Sequence, residues 1–369
     1  MRVTLLLAHS RPAPSMKRVA EAIRRYLPAP TDLQYVSQTC PTILRWKLPA
    51  AVVHALYVLH TQRCLQRQVA RFPRFDVLHL VDHSDAFLLP ATSAALKVVA
   101  CHDLIPLVEA RMYRHRLSRR WGQWLYRLAV HHISSADGVI ACSRATASDL
   151  TRLFHIPPER LRVVSHGVDA DFFAPLPDDL RAQKRAELGF PPQEKVLLHV
   201  GSNAPYKNIP TVLRTVAHLR GEGHPCRLVK AGEPLSARMQ RLVNELGLTG
   251  QILVLPQVDD SRLRDLYQAA DAVLFPSFRE GFGLPVLESL ACGTPAVIAD
   301  TPALNEWAAE VCLHAPPDDV KQLAAKVLES IEMSRYACVR ARLREFAEQY
   351  HWQSIAQQIM AAYQQWREA

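Results

Sequence analysis

The chain has 369 residues, 49% hydrophobic and 21% charged, with a net charge of +9. That length exceeds the ~100–200 residues of an ordinary domain and predicts two cores, while the balanced composition excludes a disordered or fibrous chain. No apolar run near the N-terminus approaches the ~20 residues that span a bilayer.

Residues 3–8 form a short apolar run followed at once by His9, Ser10 and Arg11. This reads as a first β-strand, not as the core of an export signal, and predicts a cytoplasmic protein. Val19, Ile23 and Leu27, spaced four apart, predict a helix over 15–27. Short runs rich in Val, Leu and Ile at 76–81, 96–101, 137–142 and 162–165 predict further strands, separated by basic, helix-like stretches. Alternation of this kind is the pattern of a doubly wound parallel sheet. The segment APLPDD at 174–179 interrupts it. The pattern then restarts with strands predicted at 195–200, 227–230, 252–255, 272–275 and 296–299. A hinge near 170–180 thus joins two α/β halves. At the end of the chain, Trp352, Ile355, Ile359, Tyr363 and Trp366 make one apolar helical face that must pack on something.

Charge is unevenly shared: residues 1–175 carry +11 and residues 176–369 carry −2. A basic half suggests an anionic partner. Residues 43–74 mix Leu44, Trp46, Leu56, Tyr57 and Leu65 with Arg45, Lys47, Arg63, Arg67, Arg71 and Arg74, and a second basic cluster runs from Arg111 to Arg120. Such stretches suit an anionic membrane surface; ordinary amphipathic helices give the same pattern. Eight scattered cysteines without a C-x-x-C pair predict reduced thiols and neither a disulfide nor a zinc framework.

The stretch FPSFREGFGLPVLESLACGTPAV, residues 275–297, is the most informative. Gly281 and Gly283 permit a backbone path that brings N–H groups close to a ligand. Pro285 suits the start of a helix, and Gly293 its end. The reading is strand, glycine loop, then a short helix whose N-terminus favours an anion such as phosphate. Glu280 lies in the loop and Glu288 about one turn into the helix. Two carboxylates flanking a phosphate site suit hydroxyl groups on either side of it, as in a sugar nucleotide.

This stretch closely resembles the E-x7-E signature of the family 4 retaining glycosyltransferases, which have the GT-B fold. The resemblance implies two Rossmann-like doubly wound α/β domains facing a cleft: 1–172 on the acceptor side, 173–349 binding the nucleotide sugar, and a helix over 350–369 crossing back to the first domain. It implies that Glu280 holds the donor sugar, Glu288 the ribose, and that Phe282, Gly283 and Leu284 supply amides. VGSNAPYKN, residues 200–208, resembles the family's phosphate-binding turn, with Lys207 as the cation on the diphosphate. Ser202 or Asn203 stands where the family often has an arginine. His102, closing the run VVAC, matches a histidine that meets the donor sugar. Val258 lies where relatives hold the nucleobase. SHGVDADFF, residues 165–173, resembles the interdomain crossover, with His166 in place of the common asparagine; its Asp169 and Asp171 read as linker chemistry, so no metal is expected.

The expected function is a retaining hexosyltransferase with no bound cofactor, a nucleotide-diphosphate sugar such as GDP-mannose or a UDP-sugar serving as co-substrate. The expected partners are that donor, a saccharide or lipid-linked acceptor of polysaccharide biosynthesis and an anionic membrane surface on its cytoplasmic face, with no nucleic acid. A sugar-nucleotide epimerase on the same fold and a non-catalytic nucleotide-sugar-binding scaffold are the alternatives. A nicotinamide dehydrogenase is disfavoured, because no strand is followed by G-x-G-x-x-G.

Overall fold

The computed structural model describes residues 1–8, 14–36, 50–109, 112 and 117–368. The glycine-free loop at 9–13, the stretch with Leu44, Arg45, Trp46 and Lys47, and basic residues 111, 114 and 116 lie outside the described residues. The chain divides into two units. One comprises Met1–Gly167 with Trp352–Ala369, the other Val168–His351.

The first unit holds a six-stranded parallel sheet of β1 (Val3–Leu7), β2 (Thr31–Tyr35), β3 (Phe75–Leu80), β4 (Ala94–Cys101), β5 (Gly138–Ala141) and β6 (Leu161–Val163), in the order β2-β1-β3-β4-β5-β6. β1 and β5 are buried throughout, as expected of strands covered by helices on both faces. β2 was not legible as a strand. It is a sheet edge, TDLQY, without a buried residue, so no apolar run marks it. Leu78, Leu80, Val99 and Val139 from the sheet pack with Leu65, Val130 and Leu150 from the helices.

The last helix, Trp352–Glu368, belongs to this unit and buries Trp352, Ile355, Ile359 and Tyr363. Each such side chain contributes roughly 1.5–3 kcal/mol when fully buried. Its approach depends on glycine: a Cβ at Gly138 would lie 2.2 Å from the Trp366 ring, and one at Gly167 would lie 2.5 Å from the Trp352 ring.

The second unit holds β7 (Lys195–Val200), β8 (Cys226–Ala231), β9 (Ile252–Leu255), β10 (Ala272–Phe275), β11 (Ala296–Ala299) and β12 (Leu313–Ala315), all parallel, in the order β12-β11-β10-β7-β8-β9. β12 also escaped the sequence: it is an edge strand of sequence LHA, in which His314 interrupts any apolar run. The chain winds outward from β7 to β9, then returns to place β10 on the other side of β7. In open α/β sheets ligands bind at such a switch point, outside the carboxyl ends of the strands. Here it lies between the loops that leave Val200 and Phe275.

Both units are the doubly wound α/β layers that the periodicity predicts. Among the described residues the seven cysteines are free thiols, five of them buried.

Candidate active site

The loop after β7 turns sharply. A short 3-10 segment, Pro205–Lys207, leads to Asn208 in the left-handed region at φ 55°. The buried Asn208 amide donates to the carbonyls of Pro276 (3.0 Å) and Pro317 (2.6 Å). The Phe278 amide donates to Tyr206 O at 2.8 Å. These bonds tie the loops after β7 and β10 together and aim Lys207 across the switch point. Its Nζ donates to Glu280 Oε1 at 2.7 Å and Oε2 at 3.0 Å. It also sits 4.8 Å above the Phe275 ring. The pair is largely withdrawn from water, with side-chain exposures of 11% and 7%. Breaking a buried pair by removing one partner typically costs about 3–5 kcal/mol, because it strands the other charge.

The glycine loop continues into an eight-residue helix, Leu284–Ala291, with Pro285 in its first turn. Gly283 sits at φ +99°, and a Cβ there would lie 2.6 Å from Leu304 Cδ2. The Phe282 ring stacks on Trp307 (centroids 4.9 Å, 10°), and the Trp307 indole N–H donates to Phe282 O at 2.9 Å. Together they hold the loop so that the start of the helix lies at the switch point. Pro285 has no N–H and Val286 N donates to Gly283 O at 2.9 Å, which leaves the Leu284 amide as the helix-start N–H without a place in the helix ladder. Glu288 is buried, and its Oε2 accepts from the Tyr267 hydroxyl at 2.8 Å.

The structure therefore brings Lys207, Glu280, Phe282, Gly283, Leu284 and Glu288 to the rim of the second sheet formed by the carboxyl ends of its central strands β7 and β10. Asn203 donates its backbone N–H to Glu233 Oε2 at 2.8 Å and its side-chain N–H to Pro234 O at 2.5 Å, while its buried Oδ1 has no partner among the described residues. Ser202 is exposed, and its Oγ accepts from Ala204 N at 3.4 Å. Val258 is half-buried on the loop after β9.

Two residues near this rim were missed. His199, fully buried in β7, points Nδ1 at Leu274 O (3.0 Å). A carbonyl only accepts, so Nδ1 carries the proton and Nε2 is a bare acceptor, buried with no partner. Burial lowers its pKa to about 3. Lys230, 1% exposed in β8, donates to Gly201 O at 3.1 Å and Glu233 O at 2.5 Å. A lysine inside the apolar run CRLVKA was the available signal.

In the first unit, His102 follows β4. Its Nε2 lies 2.5 Å from Val81 O and its Nδ1 3.1 Å from His166 Nε2, the two rings stacked at 4.9 Å. The Val81 carbonyl requires the proton on His102 Nε2, so Nδ1 accepts from His166. Both ring nitrogens are thus spent within the unit. Burial lowers the pKa of His102, with Asp82 opposing, and holds His166 well below the usual histidine range, reinforced by His102. Both are neutral at pH 7. Ser143, after β5, caps the helix Arg144–Phe154 by accepting from Thr146 N at 3.0 Å.

The family model of the group 1 glycosyl transferases matches residues 181–350, and that of glycosyltransferase family 4 matches residues 3–172. The chain belongs to this glycosyltransferase family. A D-inositol 3-phosphate glycosyltransferase of Thermobispora bispora is 33% identical over 63% of this chain and 56% of its own length. One from Catenulispora acidiphila is 39% identical over 45% of this chain and 41% of its own. The matches thus span about half the length of these curated relatives. Among solved structures, sucrose-phosphate synthase from Thermosynechococcus elongatus superposes with a TM-score of 0.78 at 20% identity, covering 99% of this chain and 98% of that one. The lipopolysaccharide glycosyltransferase WaaG gives 0.69 at 18%, covering 98% of both. These likenesses show the fold, that of the GT-B glycosyltransferases.

Proposed function

We propose that this chain is a retaining glycosyltransferase that moves a sugar from a nucleotide-diphosphate sugar, GDP-mannose or a UDP-sugar, to a saccharide or lipid-linked acceptor without a metal ion. The observation that carries the reading is the buried Lys207–Glu280 pair at the β7/β10 switch point, beside the N-terminus of the helix Leu284–Ala291. A cation, a hydroxyl acceptor and the backbone amides of a helix start suit a sugar joined to a diphosphate.

In the proposed reaction the anomeric C–O bond breaks and its electron pair leaves with the diphosphate. Lys207 and the first-turn amides stabilise the growing charge, and Glu280 accepts hydrogen bonds from the sugar hydroxyls. The acceptor oxygen attacks the same face, and its proton passes to a phosphate oxygen of the donor. Glu288 holds the ribose hydroxyls, and the loop at Val258 lies against the base. For His102, a substrate hydroxyl takes the place of His166 as the donor to Nδ1. The basic first half and the relatives named for D-inositol 3-phosphate both favour an anionic acceptor.

A thermal-shift panel of UDP, GDP, ADP and their sugars identifies the donor, because a ligand of the folded state raises Tm with occupancy. With that donor, NMR of the product is expected to show a retained anomer at a rate unchanged by EDTA. Lys207→Ala is expected to lower kcat/KM by about 10²–10³-fold, the usual loss for one charge-stabilising donor. An inverted product refutes retention; an isomerised sugar nucleotide formed without acceptor would establish an epimerase instead.

A further inference from the structure

Lys230 is the least expected charge in the second unit. Its side chain is among the largest that are fully buried, and both of its hydrogen-bond partners, Gly201 O and Glu233 O, are neutral carbonyls. The nearby Glu233 carboxylate is occupied by Asn203 N. An ammonium offers three donors, and burying one without a carboxylate partner is costly. Burial accordingly lowers its pKa, with Glu233 pulling the other way. A lysine held at such cost serves something outside its own packing.

Its placement says what. Gly201 O and the N–H of Ser202 belong to one peptide group, and in a trans peptide they point in opposite directions; there is no cis peptide among the described residues. By holding Gly201 O inward, Lys230 turns the Ser202 N–H outward, to the open side of the turn after β7. The ammonium also polarises that peptide, strengthening its N–H as a donor. Gly232 secures the arrangement: it sits at φ +108°, and any Cβ there would lie 2.6 Å from Gly201 O. The charge of Lys207 is meanwhile engaged by Glu280. Among the described residues, Lys230 is therefore the cation of this turn that has no carboxylate at ion-pair distance.

We propose that Lys230 is a positioning residue for the donor diphosphate: it aims and polarises the Gly201–Ser202 peptide so that its N–H binds a phosphate oxygen. This rests on the donor reading above. Lys230 is specific for the phosphates and makes no contribution to nucleoside recognition.

The test compares wild type, Lys207→Ala, Lys230→Met and Lys230→Arg by calorimetry, with UDP or GDP (whichever the wild type binds more tightly) and with the matching nucleoside. Lys230→Met is expected to weaken diphosphate binding about tenfold and leave nucleoside binding unchanged, with Lys230→Arg recovering part of the loss. Equal weakening of both ligands marks a merely structural lysine and overturns the proposal, as does unchanged diphosphate binding. Should Lys230→Met fail to fold, the exposed Glu233→Gln decides. Removing the opposing charge is expected to tighten diphosphate binding several-fold, and an unchanged value overturns the proposal. If the wild type binds no nucleoside diphosphate, the donor reading itself fails. If Lys207→Ala loses binding and Lys230→Met does not, only the role of Lys230 fails.

Discussion

At the residue scale, four ionisable side chains largely withdrawn from water differ in how visible they are in the sequence. Lys207 and Glu280 stand in motifs that a reader of the sequence can recognise. His79 and His199 sit inside apolar strand runs, where a histidine reads as an interruption. Both are fully buried, His79 against the Tyr363 hydroxyl at 2.5 Å and His199 against Leu274 O, so the charged form of each is disfavoured. Burial lowers each from 6.5 to about 3. The unfolded chain therefore takes up protons that the folded one refuses. Stability is fully present above pH 6.5 and is lost as the pH falls toward 3, by about 2 kcal/mol per histidine at pH 5. Melting curves at pH 7.5 and pH 5 should separate accordingly. His199→Gln is expected to flatten the pH dependence of the second unit, and a slope equal to wild type would sink the assignment.

At the element scale, the loop and helix spanning 276–291 depend on a backbone that only glycine allows. Gly283 combines a positive φ with a near contact to Leu304. Gly283→Ala therefore adds backbone strain to overpacking, about 1–3 kcal/mol in all. It also shifts the first-turn amides. The expected result is a lower Tm together with a several-fold rise in donor KM; a donor KM equal to wild type would show that the loop does not bind the donor. The strands that the sequence showed are those with continuous apolar runs, most of them buried on both faces, with the edge strands β6 and β9 legible by their Val, Ile and Leu content alone. The two that it hid, Thr31–Tyr35 and Leu313–Ala315, are sheet edges, where burial is partial and the signal fades. The same logic explains Asn203. Its position in the motif was legible, but its commitment to Glu233 and Pro234 depends on how β7 and β8 lie side by side.

At the scale of the whole molecule, the charge asymmetry of the sequence leads to a testable expectation about an anionic membrane surface. No helix among the described residues is long and apolar enough to cross a bilayer. The helix Leu117–His131 exposes Trp124 (47%) and Leu128 (38%), with Arg127 between them in sequence. An aromatic, an aliphatic and basic groups on a surface helix suit an anionic headgroup region. Flotation with vesicles rich in phosphatidylglycerol is expected to carry the protein at low salt and release it at high salt, and Trp124→Ala to weaken recovery several-fold. Absence from the floated fraction at low salt would remove the membrane from this picture.

By itself the sequence determined two doubly wound α/β units, the positions of most strands along the chain, and a loop–helix segment whose carboxylates and glycines point to a sugar nucleotide. Those features are local: burial on both faces writes itself as apolar runs, and helix starts and positive-φ turns write themselves as proline and glycine. What only the tertiary structure decided is which groups meet. Lys207 and Glu280 are 73 residues apart and bond across the switch point. Lys230 reaches Gly201, and His102 spends both ring nitrogens on Val81 and His166. Such pairings follow from the strand order β12-β11-β10-β7-β8-β9 and its counterpart in the first unit. That order is set by the collective packing of the core, which no short stretch of sequence records.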